Sequence, residues 1–521
     1  MRAGLWVGIL CIVWGLLPLQ TVVAQGNKKA KVKIVNADSL LVGTLGKPSR
    51  FIGNVHMTHE NTLMWCDSLY QYELPDSNYL EAFGHVRVIK NDSIRMSGDY
   101  IYYDANKKLI QVRRNVTLED PQMILTTDFL DYDGLFDIGY YFNWGQLKDS
   151  QNTLDSKKGN YFTQTKIALF KDRVNSPEYL IFSDTLKYNT ETKLVSILGP
   201  TNIYGKEDEN NTLYSEDGWY DSNLGHAELY KNNRVTHQSY EGVADTMVID
   251  SITGMAYLYW NVTLVDTVNN VIVKGEYAQM DREQNKAFVT DSALLIMVGK
   301  QDSLFVHGDT LFMDQDSVKN QILRAYYKVK FFSQDLQGLC DSMVYLSVDS
   351  TITLYNEPVA WASGNQMTAE KISLLTGNGT IKEFYLNTKA FMVSRREKTE
   401  MYDQIKGRNM TGYFRDNELY MVYVNGNGET IYFPDDKGNI IGVNTANSSN
   451  IRIMIDKRKV TDIVFINKPD GELNPLFLAD PEEARLKDFR WLKYMQPLNK
   501  FDIFKETKEP DPVEKEEEEK E

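Results

Sequence analysis

The sequence predicts an all-β protein: an elongated antiparallel β-jelly roll built from repeats, followed by a short C-terminal helix and a disordered acidic tail. Three observations carry this expectation. First, a unit recurs in which a small residue and an acid precede alternating apolar positions. It stands at Asp38 (ADSLLV), Asp67 (CDSLYQ), Asp99 (GDYIYY), Asp128 (TDFLDY), Asp184 (SDTLKY), Asp245 (ADTMVI), Asp309 (GDTLFM) and Asp341 (CDSMVY), and with a leading Glu at Glu216, Glu276 and Glu370. Degenerate copies lie near Asn160 and Arg408, and ten of the twelve steps between copies are 29 to 33 residues, the mark of a repeat architecture. Second, each copy alternates with period two, turns over a polar corner such as DANKKL or NTETKL, and returns as a second strand, often through N-V or G-x-V. Third, 31 Tyr, 22 Phe and 8 Trp against only 14 Pro favour strands over disorder.

Alternation gives each strand one apolar and one mostly polar face, as in SDTLKYN, where Leu186 and Tyr188 share a side. A one-sided sheet must fold over itself to cover its dry face, which gives a flattened barrel or jelly roll. A parallel β-helix is the competing geometry. Its coils need ~20 to 25 residues, fewer than the step observed here.

Taken in order, residues 1–24 read as a signal peptide. Arg2 supplies the charge, LWVGILCIVWGLL the apolar stretch, and small residues precede a cleavage point near Ala24/Gln25. An uncleaved anchor is the rival reading, although the apolar stretch is short of the ~20 residues a bilayer span needs. Residues 25–35, containing KKAKVK, form an N-terminal arm. Repeats fill 36–205 and 206–433 as two regions, and terminal strands fill 434–480. The spacing of Leu486, Phe489 and Leu492 predicts a helical cap over 481–505. Residues 506–521 are a disordered acidic tail. The formal net charge of -15 argues against nucleic acid as a partner, because binding it requires a basic face.

The repeated (G/S/A)-D-x-Φ-x-Y strand followed by x-G-N-V resembles the OstA-like, LptA-type family of lipopolysaccharide-transport proteins. NADSLLVGTLGKPSRFIGNVHMTHENTLMWCDSLYQY carries the resemblance most fully, and similar copies run to about residue 433. The resemblance implies a periplasmic twisted jelly roll with an open apolar groove, shielding the lipid A acyl chains of lipopolysaccharide between inner and outer membrane. It implies other Lpt-type jelly-roll proteins at the two membranes as partners; exposed end strands, as templates for another chain, leave head-to-tail self-association open. No run of amphipathic membrane strands follows the repeats, which favours a bridge over a membrane barrel.

The candidate groove-lining residues are Leu40, Leu69, Ile101, Tyr103, Leu130, Leu186, Tyr188, Met247, Ile249, Leu311, Met313, Met343 and Ile372. The same residues would equally fill a closed core. Cys66 and Cys340 occupy the same slot of repeats nine units apart, too far for a disulfide under linear stacking, so both are expected unpaired. The repeat acids read as structural, with no calcium-loop pattern, and the six His residues are scattered. No metal, cofactor or catalytic residue is therefore expected. The D-S/T-aliphatic tripeptides leave glycosylation open. The leading reading is a non-catalytic lipopolysaccharide bridge. Its rivals are a structural or interaction scaffold of the cell envelope and a β-helix enzyme acting on polysaccharide.

Overall fold

The computed structural model describes residues 32–506, apart from 45–46, 74–77, 300–301, 378–379, 397–398, 417, 437–438, 458 and 479–483. The signal segment, most of the N-terminal arm and the acidic tail lie outside the described residues. The chain separates into two compact units. One holds the residues up to 121 together with 129–136, and the other holds 122–128 and everything from 137 onward. Both are all-β, and every strand pairing in them is antiparallel.

Long strands broken by a corner generate the architecture. In the second unit, Met255–Asp266 pairs through its first half, 255–259, with Thr246–Asp250. Its second half, 262–266, pairs with Tyr240–Ala244. The neighbouring Val271–Asp281 follows both halves across the same break. Each unit thus has two walls. The first wall contains the alternating half-strands of the repeat, and the second contains the half-strands beyond the corner. In the first unit the same break divides Ser49–His59, Thr62–Glu73, Asn78–Lys90 and Ile94–Asp104.

The repeated acid makes the corner. Asp38 accepts a hydrogen bond from the Asn54 side chain (2.9 Å), Asp99 from Asn115 (2.9 Å), Asp245 from Asn261 (2.6 Å) and Asp341 from Asn356 (3.1 Å). Each of these asparagines has a φ between 46° and 60°. The left-handed conformation costs most residues about 1–2 kcal/mol and asparagine less. The amide of Asp38 also donates to the Gly53 carbonyl, and that of Asp245 to the Trp260 carbonyl, both at 3.0 Å. In the second repeat, Gly84 holds the corner with φ +75°, and a Cβ there would lie 2.3 Å from an Asp67 carboxylate oxygen. In these five copies the acid and the corner residue therefore come as a pair, fifteen to seventeen residues apart.

Two expectations are corrected. The break between repeat regions placed at 205–206 falls inside the second unit. There Leu194–Gly205 and Thr212–Asp221 pair from Leu194↔Asp221 to Tyr204↔Thr212, so the ladder does not stop. The α-helix expected over 481–505 is also not formed among the described residues, where only single 3₁₀ turns occur at Lys493–Met495 and Asp502–Phe504. The reason is competition for the backbone. Gln404, fully buried, donates to the Ala484 carbonyl (2.9 Å) and accepts from the Leu486 amide (2.8 Å). Buried Gln366 does the same with the Arg490 carbonyl and the Leu492 amide, both at 2.7 Å. Groups that a helix would pair internally are taken by side chains of the sheet.

The segment 484–506 consequently runs as a strap over the outer face of the second wall. Leu486, Phe489 and Trp491 pack on Phe391, Val393 and Tyr402. The Arg485 guanidinium lies 4.7 Å from the centre of the Tyr402 ring. Further along, Gln496 donates to Gln337 (2.7 Å), and Phe504 lies against His307 with ring centres 4.6 Å apart. All four residues of Val359–Ala362 are buried, as expected of a strand covered on both sides.

Candidate functional site: a dry interior between two walls

The inward positions of the walls register into continuous apolar rows. In the first unit Leu69, Ala82, Ile101 and Val112 are successive cross-strand partners on the first wall. Met57, Met64, Val88, Met96 and Leu118 form the matching row on the second wall. All nine are at most 1% exposed. In the second unit one row runs through Met247, Leu258, Ala278, Val289, Leu311, Ala325, Met343, Leu354, Ile372, Leu386, Met410, Val424 and Ile451. None of these exceeds 3% exposure, so the row is dry along its whole length. The second wall answers with Leu264, Val273, Leu295, Val306 and Phe331.

The sequence-predicted lining residues all lie on first-wall strands. Leu69, Ile101, Tyr103 and Leu130 are buried in the first unit, and Leu186, Tyr188, Met247, Leu311, Met343 and Ile372 in the second. Ile249 and Met313 are half-buried. Leu40, in the short strand Ser39–Leu41, is 53% exposed and does not join a buried row. The second-wall rows were missed as lining, although the V-x-Φ alternation after each corner signals them.

The free ends of the walls meet at a mouth, and polar groups latch it. Several stand two residues beyond an apolar row, as His59 after Met57, Tyr103 after Ile101, Asp149 after Leu147, Tyr188 after Leu186 and Asp266 after Leu264, while Glu60, Lys108 and Lys193 reach in from the adjoining turns. In the first unit His59 and Tyr103 share a hydrogen bond of 2.5 Å across the mouth. Lys108 bonds Glu60 at 2.7 Å, which holds the Glu60 carboxyl below its ordinary range. Lys90 donates to the Gly134 carbonyl (2.9 Å) and lies over the Tyr132 ring.

In the second unit Asp149, at a second-wall turn, accepts from the Tyr188 hydroxyl and pairs with Lys193 at 2.8 Å; the side chains of Asp149 and Lys193 are 0% and 8% exposed. Burial pushes the Asp149 carboxyl upward. Lys193, Tyr188 and the amides of Gln151 and Asn152 together pull it below its usual range. Burial and the same carboxylate push the Tyr188 hydroxyl upward. Further along, Gln321 donates to Asp266 and Gln315 to the Tyr240 hydroxyl, both at 3.2 Å. These partners are 39 to 75 residues apart in sequence, beyond the reach of any local motif.

Cys66 and Cys340 are free and buried, each on the second wall of its own unit, and burial pushes the Cys66 thiol up to about 12. Neither is poised for thiolate chemistry. Among the described residues no group of His, Cys, Asp and Glu is arranged to hold a metal ion. No helix among them is long and apolar enough to cross a membrane.

Residues 29–184 match the family described as OstA-like protein. No curated protein matches the chain. Among solved structures, 22% of the chain is similar to 82% of LptH, the LptA-homologous periplasmic component of the lipopolysaccharide transport device of Pseudomonas aeruginosa, at 15% identity and a TM-score of 0.20. A second likeness covers 85% of the chain and 82% of the extracellular domain of the one component system BT4673 from B. thetaiotaomicron, at 9% identity and a TM-score of 0.10. At these scores the assignment rests on the family match and the repeat. Over residues 29–184, about three-tenths of its length, this chain is similar to the OstA-like proteins.

Proposed function

We propose that the protein is a non-catalytic periplasmic bridge that shields the acyl chains of lipopolysaccharide between its two walls on the way from inner to outer membrane. The observation that carries this reading is the unbroken buried apolar row from Met247 to Ile451. An acyl chain of about twelve carbons costs on the order of 10 kcal/mol to expose to water, at ~0.8 kcal/mol per methylene. A carrier must offer apolar wall at every step, and registered rows do so. When a chain enters, each row exchanges the opposite wall for the lipid, so the apolar area kept from water changes little. The larger cost is the polar latches that must open.

The burial of the same rows also favours a second reading, a closed scaffold of the cell envelope whose walls never part. Depleting the protein from growing cells and pulse-labelling lipopolysaccharide separates the two. The bridge reading expects newly made lipopolysaccharide to accumulate in the inner membrane. Delivery to the outer membrane at the undepleted rate would rule it out.

A further inference from the structure

At one place along the mouth of the second unit, apolar end positions of both walls border a cleft. The outermost inward positions there are Met297, Leu304 and Leu336 on the second wall and Tyr345, Ile352 and Phe414 on the first. Met297, Leu304, Leu336, Tyr345 and Ile352 lie two residues beyond the inward row positions Leu295, Val306, Gly338, Met343 and Leu354, and Phe414 lies four beyond Met410. At latched places Tyr103, Tyr188 and Asp266 stand two residues beyond Ile101, Leu186 and Leu264, and all three are buried. Here Met297, Leu304, Tyr345 and Phe414 are half-exposed instead, and they line a cleft of about 330 Å³ between the wall ends. Leu336 and Ile352, each 4% exposed, form its floor and continue into the buried rows. Its edge is polar, with hydroxyls such as those of Ser333 and Thr380 beside Asn269 and the carboxylates of Asp302 and Asp335.

We infer that this window is where an acyl chain passes between solvent or membrane and the dry interior. The inference rests on the transport reading and deepens it by placing the port. Three features select an acyl chain as occupant. A cavity of ~150 Å³ lined by aliphatic side chains stays dry and takes up benzene. The window has about twice that volume, on the order of ten methylenes if each fills about the ~30 Å³ of a liquid water. Its floor is continuous with the rows, so a chain that enters finds apolar wall ahead of it. Its edge is polar at the depth where a lipid's ester and sugar groups would stop.

The test uses the purified full-length chain and phosphatidylcholine vesicles carrying a palmitoyl chain with a photoactivatable diazirine. After irradiation, adducts are mapped by peptide mass spectrometry. Labelling is expected to concentrate in the peptides containing Leu304, Tyr345 and Ile352. It should fall at least tenfold in Leu304→Trp and in Thr380→Trp, which fill the window from opposite walls; thermal melts identify which of the two keeps the fold. Equal labelling around Tyr103 or Tyr188, or labelling unchanged in a folded filling variant, would overturn the window while leaving acyl binding intact. No labelling anywhere would overturn both the window and the transport reading.

Discussion

Replacing Lys193 with Ala is expected to destabilise its repeat by about 3–5 kcal/mol, because it strands the Asp149 carboxylate in a site that water does not reach. Hydrogen exchange is the appropriate measurement, since a repeat array opens locally. Amides of 186–197 should exchange roughly a hundredfold to a few thousandfold faster, at 1.4 kcal/mol per decade. Amides of the strand Thr380–Arg395 should be unaffected. Replacing both partners, Lys193→Met with Asp149→Leu, should recover much of the loss, since the cost lies in the unpaired charge rather than in the missing pair.

The pH dependence follows from the direction of the Asp149 shift. A carboxyl held below its unfolded value contributes stability that is fully present above that value, ~3.9, and is lost as the pH falls through the depressed folded value. Protection of this repeat should therefore be flat from pH 7 to about pH 5 and decline below about pH 4. In Asp149→Asn that decline should be smaller. A repeat whose protection does not respond to Lys193→Ala would mean that the latch does not hold the mouth.

The second large effect is expected at the strap. Changing Gln404 to Leu removes the partners of the Ala484 carbonyl and the Leu486 amide, and Gln366→Leu those of Arg490 and Leu492. Each buried polar group left unsatisfied costs about 1–3 kcal/mol. The two changes together should outweigh the packing of Leu486, Phe489 and Trp491 and free the segment. Limited trypsin digestion should then cut at Arg485, Lys487 and Arg490 at least tenfold faster than in the parent chain. The exposed outer face around Phe391 and Val393 should bind an apolar dye. Unchanged cleavage in the double variant would show that the aromatic contacts alone hold the strap.

The first wall was readable from the sequence because period-two alternation is a local signal. Leu186 and Tyr188, or Met343 beside Asp341, announce their face within five residues. The corner was half readable. The acid was recognised as structural, but its partner asparagine lies on the next strand, so Asp245 and Asn261 look unrelated until the hairpin closes. The latches were not readable, because Asp149 and Lys193 meet only after an intervening hairpin folds over. The strap misled for a definable reason. Leu486, Phe489 and Leu492 have helical spacing, yet two glutamines more than seventy residues upstream compete successfully for the backbone of that segment. The window was not legible, because apolar residues such as Leu80, Ile110, Leu323 and Leu374 fill the same slots elsewhere, and only the fold gathers Met297, Leu304 and Ile352 around one cleft.

The central claim is that lipid occupies the space between the walls, and inward and outward neighbours on one strand test it most directly. A photocrosslinking amino acid placed in living cells at Leu186 or Met247 should capture lipopolysaccharide. The same probe at Lys187 or Val248, one residue along and on the opposite face, should capture at least tenfold less. Adducts at the outward positions equal to those at the inward ones, or none at Leu186 and Met247, would contradict it.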